Sequence, residues 1–343
     1  MEWAKREHSK KAINRAGEAL LGPGEVSDPA LEVINNWRAA HYYPLNTFKV
    51  TLRAKSAEVD PSSLVAQRIK RLSSIELKLR RFPTMKLSQM QDIGGCRAIV
   101  TNINHVRGLV KKYEHSDLKH DLDTINDYIL KPKSSGYRGV HLIYKCVYDK
   151  PKSSAYNDQY IEMQIRSRQQ HAWATAVETV GTFLNQSLKS SQGEQDWLRF
   201  FELMGSVIAF REKSPLVPNT PTKKKELVAE VKNYAERLSV INSLSMYGHA
   251  LRVGTEGVEK RGHYFFLLLL EPGKGMMTIE GFTKRQLEEA TNKYLEVERK
   301  IENTPGSEAV LVSADSFNSL KRAFPNYFLD TVFFIDELKR AIK

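Results

Sequence analysis

Apolar positions recur along this chain with two periods, and the alternation between them predicts its elements. Residues 9–21 and 29–40 carry the three-and-four spacing of amphipathic helices, parted by Gly22-Pro23-Gly24, which few helices pass through. Residues 64–70 alternate, which places Arg68 and Lys70 on one face of a strand; Ser73-Ser74-Ile75-Glu76 then has capping-box spacing for a helix whose apolar stripe is Ile75, Leu79 and Phe82. Asp92-Ile-Gly-Gly-Cys-Arg-Ala-Ile-Val100 reads as a carboxylate and two glycines leading into a buried strand. A helical and polar stretch follows, then strands over 140–148 and 159–166 and a helix from Ser167 with Trp173, Val177, Val180 and Leu184 as its core stripe. Helical periodicity continues over 196–211. The stretch 213–225 interrupts it with Pro215, Pro218 and Pro221.

That interruption predicts a division into residues 1–212, a linker over 213–224 and a second unit over 225–343. The second unit opens with a helix over 225–244, followed by strands over 249–253, 262–270 and 276–282. A helix over 284–301, a strand over 309–313 and a final helix over 331–342 complete it. No catalytic cluster is visible there.

Composition narrows the class. The apolar fraction of 41% and charged fraction of 27% are those of a folded globular protein. The longest apolar run, Tyr264 to Leu270, cannot cross a bilayer, and the first residues lack a signal-like segment, so no membrane association and a cytoplasmic location are expected. Two cysteines, Cys96 and Cys146, exclude a disulfide scaffold and a cysteine-based zinc site. The formal charge of +12 falls almost wholly in residues 1–222, which favours a polyanionic partner without singling out nucleic acid. Lys5, Arg6, Lys10, Lys11 and Arg15 on the first helix suit an RNA backbone or simply a solvated face.

Candidate chemistry gathers in the first unit. Residues 127–141, from Asp127 to His141, combine cations, turn residues and an aromatic ring: Lys131, Lys133 and Arg138 could meet phosphate oxygens and Tyr137 could stack on a base, on a mobile lip permitted by Gly136 and Gly139. Arg68, Lys70, Lys78 and Arg81 converge from a strand and the helix after it, as a polyphosphate site or an ordinary basic surface would have them. In the strand over 159–166, Ile161, Met163 and Ile165 face a core. Glu162, Gln164 and Arg166 form a row on the other side.

These pieces, in order, resemble the synthetase domain of RelA/SpoT-type alarmone synthetases: Arg68-Ile-Lys70, Ser74 to Arg81, Asp92-Ile-Gly-Gly-Cys-Arg97, Lys131 to His141 and Glu162-Met-Gln-Ile-Arg166. The resemblance covers residues 1–212. It implies an α/β fold with a mixed central sheet flanked by helices, and transfer of the β,γ-pyrophosphate of ATP to a ribose 3′-hydroxyl. By the same resemblance Arg68, Lys70, Lys78, Arg81 and Arg97 serve ATP; Asp92 and Glu162 are the catalytic carboxylates and bind Mg²⁺; and Lys133, Tyr137, His141, Gln164, Arg166 and His171 serve the acceptor. The lone His120-Asp121 pair and the shortness of the chain before residue 64 imply that no hydrolase domain accompanies the synthetase.

Asn35-Asn-Trp-Arg38, residues 41–47, His171 to Glu178 and Phe324-Pro-Asn-Tyr327 are similar to the CapRel-type fused toxin and antitoxin proteins. That similarity implies a toxin acting on the 3′ CCA end of tRNA in anti-phage defence. It also implies a small C-terminal α+β domain of pseudo-zinc-finger type that inhibits the toxin through Phe324 and Tyr327 until a phage major capsid protein binds. Phe324 stands where that group has a tyrosine, so a hydroxyl contact is lost. The alternative is a small alarmone synthetase making (p)ppGpp or (p)ppApp, and a third reading is a non-catalytic RNA-binding module.

Overall fold

The computed structural model describes residues 3–24, 26–184, 188, 194–249, 252–254, 262–301, 304, 307–314, 316–325, 328 and 331–343. Three helices open the chain: α1 (Lys10–Ala19), α2 (Asp28–Ala40) and α3 (Tyr42–Val59). The third is absent from the sequence reading and contains Pro44. The proline stands in the first helical turn, where its missing N–H costs nothing, and Leu45, Phe48 and Leu52 follow as a buried stripe. The chain then runs β1 (Leu64–Ile69), α4 (Leu72–Arg81), β2 (Gly94–Val100), α5 (Ile103–Glu114), β3 (Asp121–Asp127), β4 (Val140–Lys145), β5 (Tyr160–Ser167), α6 (Arg168–Phe183) and α7 (Gln195–Glu212). Strand β3 also escapes the sequence reading. It is an edge strand carrying Asp121, Asp123 and Asp127, and charge on an edge masks its alternation while blocking further pairing.

After residue 212 come α8 (Lys224–Arg237), α9 (Val240–His249), β6 (Arg252–Gly254), β7 (His263–Glu271), β8 (Met276–Thr283), α10 (Leu287–Lys300), β9 (Glu308–Ser313), α11 (Phe317–Ala323) and α12 (Val332–Ile342). The expected helix over 225–244 is two helices, broken at Ser239, whose φ of 48° is left-handed. Its second half extends to His249, where a strand was expected.

The nine described strands form one mixed sheet in the order β3-β4-β5-β2-β1-β9-β7-β8-β6. Strands β2 and β5 run parallel, as do β6 and β8; the other neighbours are antiparallel. The sheet is continuous across the proline-rich segment: β9 lies along β1, with Gln67 opposite Ser313 and Arg68 opposite Val312. Its two faces have separate cores. Cys96, Ala98, Ile161, Met163, Leu267 and Leu311 face α3, α5 and α10, whereas Ala66, Phe266, Leu268, Val310 and Val312 lie under α11. Helices α6 and α7 gather α8, α9 and α12 into a further core. Among the described residues no helix is long and apolar enough to cross a membrane.

The lip expected to be mobile is half pinned. Its exposed part is Leu130, Lys131, Lys133 and Ser134; from Gly136 onward it is buried. Gly136 has a φ of 88° and rests on α7, where a Cβ on Gly205 would lie 2.6 Å from the Gly136 carbonyl oxygen. Trp173 locks the same junction by donating its indole N–H to the Phe201 carbonyl at 2.9 Å. Arg138, expected to face phosphate, turns inward instead. It donates to the carbonyl oxygens of Ile129 (3.2 Å) and Pro215 (2.9 Å) and to Ser214 Oγ (2.7 Å), and burial pushes its pKa down to about 10.

Gly205→Ala therefore forces lip and helix apart. We expect it to lower stability by about 1–3 kcal/mol, the usual cost of overpacking, measured by thermal melting. An unchanged melt would show that the lip bears no load on α7.

Candidate active site

One face of β1, β2, β4 and β5 assembles the polar residues. Register places Arg68 opposite Gly95, Gly95 beside Glu162, Arg97 beside Gln164, and Gln164 opposite His141, so these side chains share the face that α6 and α11 flank. Asp92 precedes β2 and is gripped from two sides. Lys70 Nζ, just past β1, donates to Oδ2 at 2.7 Å, and Lys78 Nζ on α4 donates to Oδ1 at 2.7 Å. Burial works to raise the Asp92 carboxyl, but the two ammonium groups outweigh it and hold the pKa below the ordinary carboxylate range. Burial lowers Lys70 despite Asp92.

Glu162 closes a hydrogen-bonded ring. His141 Nδ1 lies 2.8 Å from Glu162 Oε1; His141 Nε2 lies 2.6 Å from the Tyr137 hydroxyl; Arg166 donates Nη2 to that hydroxyl at 2.8 Å and to Gln164 Oε1 at 2.7 Å; and Gln164 Nε2 returns to Glu162 Oε2 at 2.7 Å. The carboxylate of Glu162 can only accept, so His141 Nδ1 and Gln164 Nε2 are the donors that meet it. Burial alone would raise the Glu162 carboxyl. The charge and hydrogen bond of His141, then Gln164 and Lys70, reverse this and hold it far below its usual range. Glu162 is near enough for its charge to act on Asp92 in turn.

Two guanidinium groups meet here, Arg166 within the ring and Arg97 beside it. Arg166 is 1% exposed with Nε and Nη1 lacking a hydrogen-bond partner, and Arg97 Nε is likewise unmatched. Burial, then Arg166, pushes the Arg97 pKa down to about 9. Buried cations with unmet donors are costly, and an anion entering between them removes that cost. From the C-terminal half, the Ala323 carbonyl accepts from Arg97 at 3.3 Å, and the Phe324 ring lies 5.6 Å from the Arg97 guanidinium carbon.

Several expectations change on contact with this geometry. Tyr137 does not offer an open stacking face: its ring is 4% exposed, edge-on to Tyr128, His141 and Trp173, with Arg166 over it at 5.0 Å. The ring nearer solvent is Tyr128, which the sequence reading passed over although it begins the lip, and Lys133 Nζ rides 4.1 Å above it. Phe324, one of the two residues through which inhibition was expected, is 1% exposed within the core under α11, packed with Leu320, Ala323 and Val312. Tyr327 lies outside the described residues. Phe82, expected in the α4 stripe, is 44% exposed while Ile75 and Leu79 are buried.

Arg68 is half-buried on β1, and Arg81 is exposed on α4. The charges of Arg81 and Lys78 both reach Lys133 on the lip, which spans the mouth from the other side. His171 is buried in the first turn of α6. No group of three or more His, Cys, Asp or Glu able to hold a metal forms among the described residues. Two carboxylates beside a ring of cations nevertheless fit a Mg²⁺ that takes its remaining ligands from phosphate and water.

Against known proteins, residues 67–181 match the family model described as the region found in RelA/SpoT proteins. GTP pyrophosphokinase YjbM of Bacillus subtilis (strain 168) is 31% identical over 127 residues, 36% of this chain and 59% of that protein. GTP pyrophosphokinase YwaC of the same organism is 30% identical over 134 residues, 37% of this chain and 61% of that protein. This chain thus spans about three fifths of the length of the curated relatives it matches. Among solved structures, small alarmone synthetase 1 of Bacillus subtilis bound to its product pppGpp superposes with a TM-score of 0.43 at 22% identity, over 52% of this chain and 90% of that one. The polar residues of β1, β2 and β5 fall inside the segment that matches the RelA/SpoT region, and the same part of the chain is distantly similar to the two Bacillus pyrophosphokinases.

Proposed function

We propose that this protein is an ATP-dependent pyrophosphotransferase that moves the β,γ-pyrophosphate of ATP as one unit to a ribose 3′-hydroxyl. The observation that carries this reading is Asp92 held between Lys70 and Lys78 on the same face as the buried carboxylate of Glu162. Arg68, Lys70, Lys78, Arg81 and Arg97 take the donor phosphates, the lysines exchanging a carboxylate oxygen for a phosphate oxygen of like geometry. Mg²⁺ held by Asp92 and Glu162 would neutralise charge on the transferring group. The 3′-oxygen bonds to the β-phosphorus as the bond from that phosphorus to the oxygen bridging to the α-phosphate breaks; the bridging oxygen leaves with AMP, and the hydroxyl proton passes to solvent water.

His141, Gln164 and Lys70 favour the carboxylate form of Glu162, which makes it a hydrogen-bond acceptor. Its part is to accept a hydrogen bond from the attacking hydroxyl and orient it, which suffices for a loose phosphoryl-transfer transition state that asks mainly for position and charge neutralisation. His141, Gln164, Tyr137 and Arg166 hold that carboxylate in place. Tyr128 and Lys133 border the acceptor side, where a base could stack on the more open ring.

A guanosine nucleotide is the acceptor best supported, since both curated relatives are named GTP pyrophosphokinases. A second acceptor, the 3′ end of tRNA, is favoured by one observation: Lys5, Lys10, Lys11 and Arg15 all stand exposed at the N-terminal helix. The full chain with γ-labelled ATP and either GDP, GTP or tRNA tests both. Label in the nucleotides supports the first and label in tRNA the second; label in none overturns the activity.

Glu162→Gln and Asp92→Asn keep volume and remove a charge, so each should abolish transfer, by about a thousandfold or more, with thermal melting and circular dichroism unchanged. Full activity in either folded variant would remove that carboxylate from the mechanism.

We further propose that the Ala323–Phe324 contact restrains Arg97, an inhibitory use of the C-terminal half. Phe324→Leu keeps an apolar filler and removes the aromatic face worth about 1 kcal/mol to a cation. Transfer should rise about three- to tenfold in that variant, measured at equal folded fraction. An unchanged rate would make Phe324 a core residue only.

A further inference from the structure

Helix α4 carries Lys78 and Arg81, and its start is unusual. Ser73-Ser74-Ile75-Glu76 predicts a capping box, but the helix begins two residues earlier, with Arg71 at the N-cap and no side-chain cap of its own. The N–H of Leu72 is met instead by Glu298 Oε1 at 2.8 Å, from helix α10 more than two hundred residues away. A carboxylate there satisfies an orphan donor and opposes the positive end of the helix.

Through Arg38 the same carboxylate is tied to the backbone of Lys70, two residues before the helix. Arg38, on α2, donates Nη1 to Glu298 Oε2 at 2.9 Å and Nη2 to Oε1 at 3.3 Å, while its Nε donates to the carbonyl of Lys70 at 3.0 Å. Tyr294 completes the cluster: its hydroxyl donates to Glu298 Oε1 at 2.7 Å and accepts from Arg38 Nη2 at 2.6 Å. The pair is withdrawn from water, with the Arg38 side chain 4% and the Glu298 side chain 14% exposed. Burial disfavours the Arg38 charge, and Glu298 more than restores it. Lys70 and Leu72 are thus clamped on their backbones two residues apart, and the lysines that grip Asp92 leave from either side of the clamp.

We propose that Glu298 is a positioning residue for the donor-side lysines, fixing Lys70 through Arg38 and Lys78 through the first N–H of α4, so that nucleotide affinity depends on a carboxylate of the C-terminal half. This rests on the reading that Lys70 and Lys78 bind donor phosphate. It also means that the C-terminal half contributes to the site as well as restraining it at Arg97.

The test uses the full chain and α,β-methylene-ATP, whose α–β link cannot be cleaved, with binding followed by calorimetry and folding by thermal melting. Lys70→Ala and Lys78→Ala come first: loss of binding in both upholds the underlying reading, and unchanged binding refutes that reading by itself. Glu298→Ala should then weaken the analogue about tenfold, as loss of a cap and a charged tie warrants. Glu298→Gln, which keeps an oxygen for the Leu72 N–H, should recover part of that loss. Because Glu298→Ala strands a buried arginine and could unfold the protein, the double variant Arg38→Met/Glu298→Met is run beside it, with an apolar pair in place of the ionic one. It should melt near the wild type and bind as weakly as Glu298→Ala. Wild-type affinity in the folded double variant, with the lysine variants still defective, would overturn the proposal. Weakened binding of the analogue with an unchanged KM for the acceptor separates positioning of the donor lysines from general loosening.

Discussion

Strand β1 is paired on both edges, and most of what is distinctive in this molecule follows from that. Strand β2 takes one edge over six residues, and β9 takes the other at Gln67 and Arg68. An interior strand cannot leave without abandoning hydrogen bonds on two sides, each expensive to leave unmade once buried. Arg68 therefore sits on a seam, with the polar face of β2 and β5 to one side and the apolar core under α11 to the other. The C-terminal half is not a separate body touching the site from outside. It completes the sheet on which the site is built.

The site also shows how a basic interior is kept stable before any ligand arrives. Asp92 absorbs two lysines, and Glu162 is held by an imidazole and an amide whose other partners return to each other through Tyr137 and Arg166. Among the donors left without a hydrogen-bond partner are Nε of Arg97 and Nε and Nη1 of Arg166. A polyphosphate supplies the missing acceptors and can compete for the lysines at the same time. The arrangement is poised for an anion because its acidic groups are already used and some of its donors are not.

The C-terminal half meets this apparatus at two points of opposite consequence. At Arg97 it presents a carbonyl and a ring to a guanidinium suited to phosphate, competing with ligand. At α4 it presents a carboxylate that supports the donor-side lysines. Deleting the half would remove both, expose the edge of β1 and uncap α4, so loss of activity on truncation would say little about either contact. Point variants at the two places separate them.

By itself the sequence determined the local chemistry and most of the elements. Alternation located β1 and β5, β2 was legible as a buried strand behind a carboxylate and two glycines, and the row Glu162, Gln164 and Arg166 opposite Ile161, Met163 and Ile165 followed from the two-residue period of a strand. Arg68, Lys70, Lys78 and Asp92 were legible because they stand at element ends, where charge interrupts an apolar pattern. Other features were decided only by tertiary structure, each through contacts between distant residues. Arg138 turned inward because carbonyls of the lip and the proline-rich segment meet there, and Tyr137 was buried because α6 and α7 close over the lip at a glycine pair. Phe324 joined a core made largely of strands β7 and β9. The cap of α4 was the clearest case: local spacing offered Ser73 and Ser74, yet a carboxylate from α10 reached Leu72, because a fixed partner brought by the fold keeps its place on a helix end without competing with water.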